Sequence, residues 1–588
     1  MRYAKLFFVF LSTGILINSC GKSFLEKRAL GQLDQTAIAN KKGVEGLLIA
    51  AYSLLDGIGN SNSSWVSAGS NWIYGSICGS EAYTGSFVND GARIAILPFE
   101  KFSPTPSMDP VASKWSTVYD GVQRANEVLR VMVKAKDISA ADQKRIAGEA
   151  RFLRAWYHFE AKKMWNKVPF IDESITYENG NYRVGNEKDI WPDIENDLKY
   201  AMANLDVDPY QGAVGRANKY TAMALLAKAY LFQKKFSDAK PLLENIINSG
   251  KYELADSYHK NFNPETQHTI KESILSAQAS VNDGSEGVNG NLGDVLNFPN
   301  MGGPAGCCGF FDPSQYLVNH FKTDPNTGLP LDNFNNNDVI NDDGLSSSDP
   351  FTPYSGTLDP RLDWTIGRRG IPYLDWGLHP GADWIRDGSL DGPYSPKKNT
   401  YYKSQEGHLT DLAFWSNGTT TNTINLIRYA DVLLWAAEAE AETNGDLNKA
   451  REYVNKIRRR AMDPAGWVHT YIDNNDPSRG FTNTPAANYK IGEYTTAWTS
   501  KEVALKAIRY ERLLELGMEG HRFFDLVRWG IADVEINTYL QKEKSLRSYL
   551  NGAVFTKNKN EYFPIPQIQI DLSAGADGVK KMKQNPGY

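Results

Sequence analysis

Glu511, Glu515 and Glu519 recur every fourth residue, with His521, Arg522, Asp525 and Arg528 close behind. Carboxylates held at a fixed separation perform glycoside hydrolysis, one as proton donor and the other as base or nucleophile. The same i, i+4, i+8 spacing is one face of a helix, where acids beside arginines suit ion pairs to neighbouring elements. The second role is favoured, because nothing else catalytic accompanies the acids. There is no G-x-S-x-G elbow, no H-E-x-x-H, no Walker loop and no G-x-G-x-x-G. The eight histidines are scattered, without a metal-binding pair.

The aromatic residues offer a different chemistry. With 14 Trp, 30 Tyr and 25 Phe, the chain has enough flat side chains for stacking surfaces as well as a core. Sugars present apolar C–H faces that such rings cover, while nearby amides and acids bond the hydroxyls. The candidates are Trp65, Trp72, Tyr74 and Tyr83 in the Gly/Ser/Asn-rich stretch 59–91, and Tyr373, Trp376 and Trp384 further on. For each, the alternative is a loop aromatic plugged into the core. Asp324, Asn335, Asn337, Asp338, Asp342 and Asp343 carry oxygen ligands suited to Ca²⁺, but their spacing is not an EF-hand loop and a solvated acidic turn fits it as well. Adjacent Cys307 and Cys308, flanked by Gly306 and Gly309, form either a vicinal disulfide or two unpaired thiols.

These groups need a frame, and the periodicity supplies helices. Residues 111–134 place Trp115, Val118, Val122, Ala125, Leu129 and Met132 on one face. A second helix opens at Ser139-x-x-Asp142, runs to about Trp165 and is stopped by Pro169; a third carries Trp191, Ile194, Leu198, Met202 and Leu205. Two segments resemble tetratricopeptide units: Leu226-Ala227-x-x-Tyr230 followed by Phe236, Ala239 and Leu243, and residues 424–461 with Ala441, Gly445, Leu447, Ala450 and Val454. A further helix spans 499–528 behind the capping pattern Thr499-x-x-Glu502. Between 262 and 420 Gly, Pro, Asn and Asp crowd in, periodicity is lost and aromatics stand singly. This stretch reads as a loop-rich insert with short strands, mounted on a helical N-terminal part (20–261) and a helical C-terminal part (421–588).

The net charge of −5, from 64 basic and 69 acidic residues, gives no basis for nucleic-acid binding. At the N-terminus, Arg2 and Lys5 precede the apolar run Leu6 to Ile17, a signal-peptide core too short to span a bilayer. It ends in Ile17-Asn18-Ser19-Cys20-Gly21, which resembles a bacterial lipobox with residues 1–19 removed and Cys20 acylated. Each buried CH₂ of the acyl chains adds about 0.8 kcal/mol, so two or three chains anchor stably. The alternative is an ordinary secreted protein. No other run is long enough to cross a membrane.

Four blocks in fixed order carry a family resemblance: Gly148-Glu149-Ala150-Arg151-Phe152-Leu153-Arg154-Ala155 leading to Val168-Pro169; Ile427-Arg428-Tyr429-Ala430-Asp431-Val432-Leu433-Leu434; Glu519-Gly520-His521-Arg522-Phe523-Phe524-Asp525-Leu526-Val527-Arg528-Trp529-Gly530; and Phe563-Pro564-Ile565-Pro566-Gln567 through to Gln584-Asn585-Pro586-Gly587-Tyr588. With the lipobox, they resemble the SusD/RagB family of nutrient-binding lipoproteins. The resemblance implies a mainly α-helical SusD-like fold over 20–588, built on tetratricopeptide-like helix pairs, with no cofactor and no catalysis. It also implies a place on the outer-membrane surface as a lid on a SusC-like TonB-dependent transporter. The ligand implied is an oligosaccharide, or a peptide as in the RagB branch; a lipid-anchored glycoside hydrolase using the 511–528 acids is the rival from another class. The family shares no substrate motif, so the expected ligand contacts, Trp72, Tyr74, Tyr83, Tyr373, Trp376 and Trp384, rest on the chemistry of their side chains alone.

Overall fold

Helix starts follow local capping chemistry. In the computed structural model, which describes residues 35–59, 64–177 and 180–588, Asn40 caps α1 (Lys41–Ser53) and Asp90 caps α2 (Gly91–Glu100), each side chain accepting a backbone N–H of the first turn. The amphipathic helix α3 (Asp109–Met132) has proline in its first turn, and Ser139 caps α4 (Ala140–Trp165) through the Asp142 N–H. α4 stops at Asn166, which takes φ +57°, so the helix ends before Pro169. α5 (Trp191–Asn204) follows. Residues 1–34, with Cys20, lie outside the described part.

Two helix pairs follow the tetratricopeptide spacing. α6 (Lys219–Phe232) and α7 (Phe236–Asn248) form the first, α8 (Tyr429–Glu442) and α9 (Leu447–Met462) the second. Small residues Ala222, Ala224, Ala227 and Ala229 on α6 and Ala436, Ala437, Ala439 and Ala441 on α8 are buried, as close helix approach requires. Although nearly two hundred residues apart in sequence, the pairs lie side by side: Lys240 of α7 meets Glu440 of α8 at 2.8 Å, and Lys449 of α9 reaches the same carboxylate at 3.0 Å.

Residues 424–428 are not the start of α8. They form β2 (Ile424–Arg428), antiparallel to β1 (Ser273–Ala277), and join the ends of the insert to the scaffold. A helix over 499–528 is also corrected. Ser500, not Thr499, caps α10 (Lys501–Leu516), and the chain then breaks before α11 (Arg522–Trp529) and α12 (Ala532–Glu543). The segment between them makes a close backbone approach. Gly520 takes φ +76° and donates its N–H to Ser76 Oγ at 2.9 Å, and a Cβ there would sit 1.8 Å from the Ser70 carbonyl oxygen. Opposite, a Cβ on Gly75 would lie 1.8 Å from the Gly520 carbonyl oxygen.

Buried side chains from Val44 to Met582 belong to one continuous core that includes residues of the insert, with a small satellite of Tyr373, Leu374 and Trp384. No described helix is long and apolar enough to cross a membrane. Cys307 is disulfide-bonded to Cys308, and Cys78 is buried and unpaired.

Candidate functional site

The acids at 511, 515 and 519 lie in the interior, at the junction of insert and scaffold. Glu511 pairs with Arg361 at 2.7 Å and Arg458 at 2.8 Å; Glu515 with Arg428 at 2.6 Å, Arg361 at 3.0 Å and Arg460; Glu519 with Lys398 at 2.8 Å and Arg428 at 2.9 Å. Asp359 and Glu272 complete the set, on Arg361 and Arg428 at 2.8 Å each. The carboxylates of Glu272, Asp359, Glu511, Glu515 and Glu519 thus meet the cations of Lys398, Arg361, Arg428, Arg458 and Arg460, a balanced count, with every one of these side chains shielded from solvent. Burial pushes the Glu515 carboxyl up, but Arg460, Arg428 and Arg361 outweigh it and hold it well below the ordinary value. An acid so held neither donates a proton near neutrality nor meets solvent. Glu519 belongs to the break after α10, not to its face. The rest of the 519–530 block is used the same way: Arg528 holds Glu438 at 2.7 Å and Asp525 at 2.8 Å, and Arg512 holds Asp525 and Asp431.

The acidic turn is equally committed. Asp338 pairs with Lys542 at 2.9 Å, Asp343 with Arg547 at 2.7 Å, Asn335 accepts from Asn319, and Asp324 accepts the Thr327 N–H. Among the described residues no group of three or more His, Cys, Asp or Glu side chains is placed to hold a metal.

The expectation that the candidate aromatics stand exposed on loops is corrected for most of them. Trp72, Tyr74, Tyr83, Tyr373 and Trp384 are buried. Each of the first four finds an internal partner for its polar tip, as burial demands. Trp72 Nε1 donates to the Gly293 carbonyl at 3.1 Å, Tyr74 to the Val66 carbonyl at 2.9 Å, Tyr83 to Glu543 and Tyr373 to the Pro396 carbonyl. The glycines of 59–91, read as loop signals, instead let this stretch pack against the break after α10. Trp376 is half-buried, its Nε1 donating to the Tyr401 carbonyl at 3.0 Å, and Trp65 is likewise half-buried.

The two stretches nonetheless converge. Residues 82–86 run antiparallel to 309–313, with Tyr83 N–H on the Asp312 carbonyl at 2.8 Å and Phe311 N–H on the Thr84 carbonyl at 3.2 Å. This pairing brings the tips 86–90, 299–309 and 382–389 to one face. Arg386 donates to the Cys308 carbonyl at 2.8 Å, lies 4.5 Å over the Phe87 ring and 3.6 Å from Asp90. Phe87 is 39% exposed and Met301 70%. Gly303 covers Trp384, where a Cβ would lie 3.1 Å from the indole. On the neighbouring tip Trp415 is 62% exposed, 5.6 Å from Phe414. Phe87, Met301 and Arg386 were not foreseen, since their exposure depends on the 82–86/309–313 pairing; the isolated Trp415 was visible in the sequence without a signal to single it out.

Beneath this face lies a cavity of about 30 Å³ walled by Trp72, Asn291, Asp294, Asn297, Phe298 and Thr400. The side-chain oxygens of Asn291 and Asn297 are buried without a protein partner. That volume holds on the order of two waters, so no sugar ring enters it. A ligand on this side of the molecule lies across the rim.

Paired helices carrying a loop insert, with charged blocks spent on internal ion pairs, define a helical-repeat scaffold. The chain belongs to the SusD family, whose model matches residues 271–588. A second model, described as starch-binding associating with outer membrane, matches residues 48–231. A SusD-like protein of Formosa agariphila is 27% identical over 431 residues, 72% of this chain and 70% of that one. Among solved structures, surface glycan-binding protein A from Bacteroides fluxus superposes with a TM-score of 0.67 at 21% identity, covering 93% of this chain and 100% of that one. Surface glycan-binding protein A from Bacteroides thetaiotaomicron, in complex with laminarihexaose, gives 0.64 at 19% identity, covering 93% and 99%. At those identities the likeness establishes the fold.

Proposed function

We propose that this chain is a cell-surface glycan-binding lipoprotein, anchored through Cys20, that captures an oligosaccharide on the loop face and delivers it to a SusC-like TonB-dependent transporter. The carrying observation is the convergence of Phe87, Arg386 and Met301 on one face of a SusD-family scaffold, with half-buried Trp376 packed on the Trp384 cluster behind it. Rings for C–H faces stand beside a guanidinium and backbone amides for hydroxyls, the combination neutral sugars need. The glycan-binding names of related structures and the outer-membrane association in the second model's description support the same reading. Binding without hydrolysis fits the ion-paired, solvent-shielded side chains of Glu511, Glu515 and Glu519.

Arg386→Ala and Trp376→Ala should each weaken oligosaccharide binding by about 1–3 kcal/mol in calorimetry, the scale of a binding hot spot, with an unchanged melting temperature. Normal binding by both variants, or preference for a peptide over every oligosaccharide tried, would reject the placement or the ligand class respectively. Cys20→Ala should leave the protein soluble instead of membrane-bound, since the acylated thiol carries the attachment. Sedimentation of that variant with outer membranes lacking the transporter would remove the anchor from the proposal. Recovery of a TonB-dependent receptor with the wild-type protein from native membranes tests the partnership.

A further inference from the structure

On the helical side of the molecule, α3, α4 and α5 and the loop after Pro169 enclose a cleft of about 790 Å³. Its floor includes Leu129 and Met132 of α3, and its walls include the rings of Tyr177 and Tyr200. None of these residues belongs to the loop face. The volume falls in the range of roughly 300–1,000 Å³ typical of small-molecule sites, unlike the water-sized cavity beneath the insert.

The features of this cleft are built, not incidental. Tyr177 is held at φ +65°, a conformation that bulky residues rarely adopt and that persists only where the surroundings impose it. Its hydroxyl donates to Gln123 of α3 at 2.9 Å, and Arg130 pins the preceding loop by donating to the carbonyls of Glu173 at 3.4 Å and Ile175 at 3.2 Å. So positioned, Tyr177 is 50% exposed and lies nearly parallel to Tyr182, with ring centroids 6.3 Å apart, an interplanar angle of 22° and Tyr182 itself 40% exposed. Arg183 lies 4.8 Å over the Tyr182 ring, and Arg151 4.3 Å over that of Tyr200.

Both carboxylates that line the cleft, Glu127 and Glu173, are paired within the protein, and Lys134 lines it as well. Arg130 pairs with Glu127 at 3.0 Å, Glu173 with Arg154, and Arg151 approaches Asp197 at 3.9 Å. A cleft whose lining carboxylates are already paired, with rings half open to solvent, favours a ligand with apolar faces and many hydroxyls over a charged peptide. We infer that the Tyr177 cleft is a second saccharide-binding site, which takes a neutral oligosaccharide on the Tyr177–Tyr182 platform independently of the loop face.

The inference rests on the proposed glycan binding and is tested so that the two separate. Laminarihexaose, maltohexaose and cellohexaose are titrated calorimetrically into the wild-type protein and into Tyr177→Ala, Tyr177→Phe and Arg386→Ala, with a neutral hexapeptide as comparison. At least one hexasaccharide should bind at two sites per chain. Tyr177→Ala should weaken one of them by roughly 10-fold or more, Tyr177→Phe should retain it because the ring remains, and Arg386→Ala should affect only the other. A single site untouched by Tyr177→Ala overturns the second site and leaves the loop face standing. A single site lost only in Tyr177→Ala supports the cleft and removes the loop face. Titration of the cleft by the hexapeptide alone overturns the ligand class, and no hexasaccharide binding at all overturns both readings. Melting curves and hydrogen exchange of the 173–182 segment show whether Tyr177→Ala keeps the fold; if it does not, Tyr182→Ala gives the same reading from the outer ring.

Discussion

Glu515→Gln lowers the unfolding free energy of this protein by about 3–5 kcal/mol, the cost of removing one partner from a buried ion network. Glu515 is the carboxylate shared by Arg361, Arg428 and Arg460. Without its charge the five buried cations of the network face four carboxylates where five balanced them before, and the uncompensated positive charge sits at the junction of insert, β2, α9 and α10. Urea denaturation followed by circular dichroism measures the loss. A change below about 1 kcal/mol would mean the network behaves like exposed pairs, contrary to its burial. The deficit has a pH signature. The Glu515 carboxyl is held well below its ordinary value of 4.5, so its contribution is present above that value and disappears as pH falls through the depressed one. Wild type and variant should therefore converge in strong acid and differ most near neutrality. Replacing Glu515 and Arg460 together by apolar residues should recover part of the loss, because the charge left over is what destabilises.

Asp391→Asn has the opposite sign and stabilises the protein at about pH 8, by about 1–3 kcal/mol, the scale of satisfying a buried polar group. Asp312 and Asp391 are both buried, and each has one carboxylate oxygen, Oδ2 and Oδ1 respectively, with no partner. The remaining Asp391 oxygen accepts the Asp387 N–H at 2.8 Å. Burial raises both carboxyls well above the usual range. For Asp391 the Asp312 charge adds to the rise, and Arg93 opposes it in both. A carboxyl whose folded value is raised binds its proton more tightly in the folded state. Its stabilising effect is complete below the unfolded value of 3.8 and is lost as pH rises toward the folded value. Asparagine stands in for the protonated acid without that loss. The gain should be present at mildly alkaline pH and vanish near about pH 4, where the wild-type pair is protonated in any case. A gain that is the same at both pH values would show that neither burial nor the Asp312 charge raises the Asp391 carboxyl. The pair lies under the rim that carries Arg386, so the same variant also reports whether that rim loosens as the charge appears.

What the sequence determined by itself was local. Ser139 starts α4 because its hydroxyl reaches a backbone N–H three residues away, and the stripe from Trp115 to Met132 buries one face of α3 because a helix repeats every 3.6 residues. The small residues of the two helix pairs, and the ordered blocks that place the chain in the SusD family, are legible for the same reason: their meaning does not depend on what lies across the molecule. Burial in the insert does depend on it. Residues 424–428 read as helix because their pairing partner, 273–277, is some 150 residues upstream, and Glu519 read as one more turn of α10 because the backbone against which Gly520 packs, at Ser70 and Gly75, is remote in sequence. Trp72, Tyr83 and Tyr373 looked like surface rings among turn residues, yet carbonyls and a carboxylate from remote segments satisfy their polar tips and close over them. Exposure of Phe87, Arg386 and Tyr177 was likewise decided in three dimensions, by the pairing of 82–86 with 309–313 and by Gln123 and Arg130 holding the 173–177 loop. A ligand surface is what remains uncovered once distant backbones have packed, and no sequence window contains both the surface and its cover.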